Sequence, residues 1–194
     1  MQAIPTRDTD GDLARRAAQG DRMAFGVLAD RFSGRIFAML YARTRRRMDA
    51  EDLTQEVFIR ALEKLHRLRE PDRFGPWLFS IAVNAHRDHW RRKKATEVFS
   101  LAWRKKSPVA SPPEAEEKVV SRQFWDRVHV LAKRLSATER EIFFLRFVDD
   151  LSIREVAEIL GKSESAVKTH LYRALNKFRG ETSLRDWLKG DGES

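Results

Sequence analysis

Residues 150–178 read DLSIREVAEILGKSESAVKTHLYRALNKF, and this stretch decides the fold. Ile153, Val156, Ala157 and Leu160 recur at i, i+3, i+4 and i+7, the spacing of a helix with one buried stripe. Gly161 supplies a permissive residue to end that helix, and Ser163 is suited to cap the next. In the second helix Val167, Leu171, Ala174, Leu175 and Phe178 form the inward stripe. Lys168, Thr169, Tyr172, Arg173, Asn176 and Lys177 are left outside, with His170 at the margin. Two short helices joined by a tight turn form the unit that lays a helix into the DNA major groove. The outward face mixes cations for phosphates with groups able to reach base edges, and Glu164 and Ser165 stand at the helix start, where it would enter the groove. A helical hairpin with a merely solvated basic face shares the periodicity. The doubly capped, glycine-turned spacing favours the DNA-binding unit.

Working outward, every periodic segment of the 194-residue chain is helical. The spacing predicts a short helix over 12–19, a long one over 21–45 carrying Phe25, Leu28, Phe32, Ile36, Met39 and Leu40 inward, and others over 49–68 and 74–94. Ser107-Pro108 and Ser111-Pro112-Pro113 break the pattern, so residues 96–117 read as a flexible linker. Phe99, Leu101 and Trp103 make its first half apolar enough for a short docked helix. Beyond it, Val119, Phe124, Val128, Leu131 and Leu135 continue a helical pattern. Ser136-x-x-Glu139 and Ser152-x-x-Glu155 each fit a capping box. The fold expected is all-α: two small helical domains, over 1–95 and 118–180, with a tail over 181–194 in which Leu184, Trp187 and Leu188 suit a terminal helix.

Charge points to the partner class. The net charge is +9, and residues 1–95 hold 20 Lys and Arg against 13 Asp and Glu, so the excess sits mostly outside the helix-turn-helix. A polyanion is the expected partner. With no cysteine, disulfides and thiolate metal sites are excluded. No apolar run approaches the roughly 20 residues that span a bilayer, and residues 1–12 lack a signal core. A soluble cytoplasmic protein without membrane insertion is expected. The sequence has no phosphate-cradling glycine loop, nucleophile elbow or metal-binding histidine pair, so neither a catalytic residue nor a cofactor is expected.

Two segments of the first domain stand apart. Over 52–65, Leu53, Val57, Ala61 and Leu65 share one side of a helix, while Asp52, Gln55, Glu56, Ile59 and Glu63 share the other. An acidic face around an isoleucine in a basic chain fits a docking surface for a basic partner. It equally fits a solvated face with i, i+4 pairs such as Glu56–Arg60. Over 77–94, Trp77, Leu78, Ile81, Ala82 and Ala85 point inward, and Asn84, Arg87, Arg91 and Lys94 line another side with His86, His89 and Trp90 nearby. Interleaved cations, an amide and an aromatic suit a nucleic-acid backbone and stacking on unpaired bases. The preceding loop carries Arg67, Arg69 and Arg73 beside a rigidifying Pro71.

Residues 50–58, AEDLTQEVF, and 74–84, FGPWLFSIAVN, strongly resemble region 2 of bacterial sigma factors; residues 135–140, LSATER, through Arg179 resemble region 4. With two such domains and a short linker, the chain resembles the extracytoplasmic-function, or group IV, sigma factors. The resemblance implies a non-enzymatic subunit that binds core RNA polymerase, through its β′ coiled coil and β subunit, and directs promoter-specific initiation. Asp52, Gln55, Glu56 and Ile59 then match the surface for the β′ coiled coil. Arg67, Arg69, Arg73, Phe74 and Asn84 match the part that captures an extruded base of the −10 element, with Arg87 and Arg91 on the backbone nearby. Ser163, Glu164, Lys168, Thr169, His170, Tyr172, Arg173 and Lys177 match the helix that reads the −35 element. The linker would thread through the polymerase, and an anti-sigma factor is an implied partner. The chain departs from the pattern at Leu68-Arg69-Glu70, where family members often have Phe-Arg-Gly, so a different base pocket is expected. A stand-alone helix-turn-helix regulator is the competing reading, and it has no use for the acidic face.

Overall fold

The computed structural model describes residues 8–101 and 132–178, together with Val128 and Val130. Among these residues the protein is all helical, and it divides into two compact units with the break after Val98. The linker beyond 101, the helical pattern at 119–124 and the terminal helix expected around Trp187 lie outside the described residues.

In the first unit, α1 (Asp10–Ala18) begins where Thr9 and Asp12 form a capping box, each side chain accepting the other's backbone N–H. That box places the start two residues before the expected one. Gly20, at φ +98°, ends the turn that follows, and Asp21 caps α2 (Arg22–Thr44) by accepting from the Ala24 N–H at 3.0 Å. Leu28, Phe32, Ile36, Met39 and Leu40 of α2 are buried, as the periodicity requires. Ala50, Leu53, Val57 and Ala61 of α3 (Arg47–Lys64) close on them.

Two single-turn 3₁₀ helices, Leu65–Arg67 and Pro71–Arg73, replace the last turn expected of α3 and form the loop to α4 (Phe74–Leu101). Gly11 lets α1 approach this loop, since a Cβ there would stand 3.2 Å from the Cα of Asp72. α4 runs seven residues past the expected end at Lys94, because no helix breaker occurs before Pro108. Its first half is covered on more than one side, with Leu78, Phe79, Ile81, Ala82, Val83 and Ala85 all buried.

The second unit contains α5 (Ala137–Phe147), α6 (Ile153–Leu160) and α7 (Glu164–Lys177). Both expected capping boxes are formed: Ser136 with Glu139, and Ser152 with Glu155. Gly161 adopts φ +60°, and Ser163 accepts from the Ala166 N–H at 3.2 Å to start α7. Ile142, Phe143, Leu145, Val156, Ala157, Ile159, Val167, Ala174 and Phe178 make the core, and the rings of Phe143 and Phe178 meet edge-on at 5.3 Å.

Candidate partner-docking and nucleic-acid interfaces

α3 carries one face inward and one outward. Asp52, Gln55, Ile59 and Glu63 are exposed, and they fall on the side opposite Leu53 and Val57. The period of 3.6 extends this stripe to two residues the sequence reading missed, Met48 and Leu62. Met48 is 73% exposed, Ile59 59% and Leu62 52%. Three large apolar side chains in a row, rimmed by carboxylates, form a surface of the kind partners cover. The 48, 52, 55, 59, 62 spacing was available to find it.

Asp52 and Gln55 hold no side-chain hydrogen bond or ion pair among the described residues. Glu56 differs. It accepts from Arg60 one turn on and lies 3.6 Å from the Arg92 guanidinium. The i, i+4 pair weighed against docking therefore exists, but it engages Glu56 at the edge of the stripe and leaves Asp52, Gln55 and Ile59 free. Arg60 also donates to Asp88 at 3.3 Å, and Asp49 lies 3.6 Å from His89 Nε2 and 3.7 Å from Lys93 Nζ. These contacts make an ionic seam between α3 and α4. No group of three or more metal-ligating side chains occurs among the described residues.

The second surface is the 65–73 loop with the outer side of α4. Leu65 is buried and anchors the loop, while Arg67 and Arg69 are exposed. Arg73 Nε lies 3.6 Å from Glu70. Asn84, Arg87 and Arg91 are exposed along one line of α4, about 10 Å long at 1.5 Å per residue. Trp90 is exposed beside them, with the Lys93 ammonium 5.9 Å from its ring centroid. Phe74 does not join this surface. It is fully buried, its ring edge-on to Phe32 at 5.4 Å, so the expectation that it meets an extruded base is corrected: its place is the core. Gly75, whose Cβ would stand 3.4 Å from the Phe32 ring, leaves room for that contact.

The third surface is α7. Glu164, Ser165, Lys168, Thr169, Arg173 and Asn176 are exposed, and Tyr172 is 69% exposed. His170 is half-buried at the margin, where the spacing put it. Three residues expected on DNA have internal partners. The Ser163 oxygen is engaged as the helix cap, and the Thr169 hydroxyl donates to the Ser165 carbonyl at 2.9 Å. Lys177 Nζ donates to buried Glu139 at 2.6 Å, tying α7 to α5, while its side chain stays partly exposed. The hydrogen bond from Lys177 and that from the Ser136 N–H hold the Glu139 carboxyl below the usual carboxylate range.

A carboxylate-rimmed apolar face, a cationic helix with an exposed tryptophan and a helix-turn-helix suit a nucleic-acid-binding protein that also meets a protein partner. Comparison with known proteins gives the class its name. Sigma-70 region 2 matches residues 28–96, and Sigma-70, region 4 matches residues 125–178. The chain is 35% identical over 179 residues to the ECF RNA polymerase sigma factor BldN of Streptomyces coelicolor, a match covering 88% of this chain and 66% of BldN. It is 32% identical to RNA polymerase sigma factor NccH of Alcaligenes xylosoxydans xylosoxydans, over 87% of this chain and 92% of NccH. Among solved structures, CnrH in complex with the cytosolic domain of CnrY is similar at a TM-score of 0.67 and 28% identity, covering 92% of this chain and 98% of that one.

The chain belongs to the extracytoplasmic-function group of the sigma-70 family, and it is a transcription-initiation factor, not an enzyme. Among the described residues no helix is long and apolar enough to cross a membrane.

Proposed function

We propose that the outward face of α3 docks this chain on the core RNA polymerase, that the 65–73 loop with α4 holds the melted −10 strand, and that α7 reads the −35 duplex. The observation that carries the reading is the Met48–Asp52–Gln55–Ile59–Leu62 stripe, apolar and acidic in a chain of net charge +9. A basic coiled coil, such as that of the β′ subunit, complements it in charge and supplies aliphatic stems to cover the apolar residues. Arg67, Arg69, Asn84, Arg87 and Arg91 supply cations and an amide for a strand, and Trp90 supplies a stacking platform. Lys168, Tyr172 and Arg173 supply the groove contacts of α7.

The domain assignment that goes with this is region 2 over 1–95 and region 4 over 118–180, with a linker that fixes the reach between two promoter contacts. Linking them makes the second contact intramolecular and multiplies specificity. The setting is the cytoplasm, where polymerase and promoter are. An anti-sigma partner is part of the proposal, supported by the similarity to CnrH, solved with the cytosolic domain of CnrY.

The test is Asp52→Lys. Asp52 is exposed and outside the ionic seam, so the variant keeps its fold while presenting the wrong charge. Co-purification with core polymerase should fall at least tenfold, which is about 1.4 kcal/mol, and run-off transcription should fall with it. Retention of both at the level of the unaltered chain refutes the docking face.

A further inference from the structure

Asp88 is an acidic residue in the middle of a cationic helix, one residue from Arg87 and three from Arg91. Its two carboxylate oxygens are divided between two guanidinium groups. Oδ2 accepts from Arg60 of α3 at 3.3 Å, and Oδ1 accepts from Arg91 of α4 in a short, direct hydrogen bond. Burial alone would raise the Asp88 carboxyl, but the Arg60 hydrogen bond and the charge of Arg91 outweigh it and hold the group below the usual carboxylate range. Arg87, on the same outward line, has no carboxylate partner among the described residues.

We infer that Asp88 is a specificity-determining residue: by occupying Arg91, it keeps one cation of the strand-binding helix from indiscriminate phosphate contact. This rests on the reading of α4 as the strand-binding helix. Phosphate contacts give affinity without sequence information. A strand that meets α4 by chance competes with Asp88 for Arg91, whose side chain is otherwise exposed. A promoter strand already held by captured bases and upstream duplex competes at a high local concentration. Asp88 thus lowers the phosphate contribution for every strand, so captured bases and upstream duplex carry a larger share of the binding.

The test uses the full chain and a short fluorescent oligo(dT), followed by anisotropy across a salt series. Asp88→Asn keeps an oxygen to accept from Arg60 but removes the charge. One added phosphate contact steepens the salt slope by about 0.7 for a single strand, which at 0.1 M salt is about a fivefold gain in affinity. In an Arg91→Ala background the same change should gain less than about twofold, since the cation it would free is gone. Equal gains in both backgrounds overturn the proposal, as does no gain in the native background. Arg87→Ala separates this from the parent reading. If Arg87→Ala leaves oligo(dT) affinity unchanged, α4 does not bind strands and the parent reading fails with the inference. If it weakens binding while Asp88→Asn gains nothing, the inference alone fails. Should Asp88→Asn lose helical content, Arg91→Ala is compared with Arg87→Ala instead. Arg91 must then contribute less than half the salt slope of Arg87, and equal contributions overturn the proposal.

Discussion

Replacing Glu139 by alanine should weaken the second unit and leave the first intact. Glu139 is buried at the start of α5, where it accepts from the Ser136 N–H at 2.8 Å and from Lys177 Nζ at 2.6 Å, thirty-eight positions along the chain. Losing its half of the capping box costs about 1 kcal/mol. Losing the charge-assisted bond costs about 1 kcal/mol after allowance for the partial exposure of Lys177, which can turn to water. The buried methylenes add up to about 1 kcal/mol. The sum, about 2–3 kcal/mol, raises the population of opened second unit by roughly 30- to 150-fold. Native-state hydrogen exchange read by mass spectrometry separates the two units by peptide. Amides of Ala137–Phe147 and Glu164–Lys177 should lose that protection, while those of Arg22–Thr44 should not. Protection of α5 and α7 unchanged within about 0.5 kcal/mol would refute the reasoning.

The same residue fixes the sign of a pH dependence. Because the folded carboxyl sits below its ordinary value, its contribution is present above the unfolded value, about 4.3, and is lost as pH falls through the folded one. The difference between native and variant chains should hold steady from pH 7 to about 5 and shrink below about 4.

Phe74→Ala should remove about 3–5 kcal/mol from the first unit by leaving a cavity against Phe32, seen as a lower thermal midpoint; a loss confined to promoter opening, with stability unchanged, would restore Phe74 to the strand-binding surface. Gly161→Ala, at φ +60° with open space around it, should cost about 1–2 kcal/mol through backbone strain alone. Urea unfolding followed at the amides of α6 and α7 would read it, and a neutral result would mean the turn relaxes.

What the sequence made legible was local. The two serine-glutamate capping boxes each rest on residues three apart and both form, and the helix-turn-helix and the inward stripe of α2 follow from helical spacing, although Phe25, Ile153, Leu160, Leu171 and Leu175 are half-buried where full burial was expected. The outward stripe of α3 was half legible: Asp52, Gln55 and Ile59 were read, and Met48 and Leu62 follow from the same period. What escaped needed contacts distant in sequence. Phe74 looked available because nothing near it shows that Phe32 takes its ring. Lys177 belongs to the outward face of its helix by spacing, yet Glu139 claims it from another helix. The start of α1 escaped for a smaller reason, since its box uses Asp12 in place of the usual Glu or Gln.

The ionic seam shows how one helical register gives the first unit two faces of opposite sign. Along α4 a period of 3.6 places residues 84, 87, 91 and 94 within about 80° of arc, residues 88 and 92 on one flank of them, and residues 89 and 93 farther round. Along α3 the same period sets Asp49, Glu56 and Arg60 together, next to the stripe that contains Asp52. Where the helices meet, Asp49 engages His89 and Lys93, Glu56 engages Arg92, and Asp88 engages Arg60. These contacts occupy Arg60, His89, Arg92 and Lys93 with carboxylates of the seam. Arg87 stays outward and exposed. A slip of α4 by one residue that brought Arg91 to the place of Arg92 would turn it toward Glu56 and carry Arg92 to the place of Lys93, toward Asp49. The pairing of Arg60, Arg92 and Lys93 with Asp88, Glu56 and Asp49 is therefore set by the packing of two helices, and it requires no segregation of charge along the sequence.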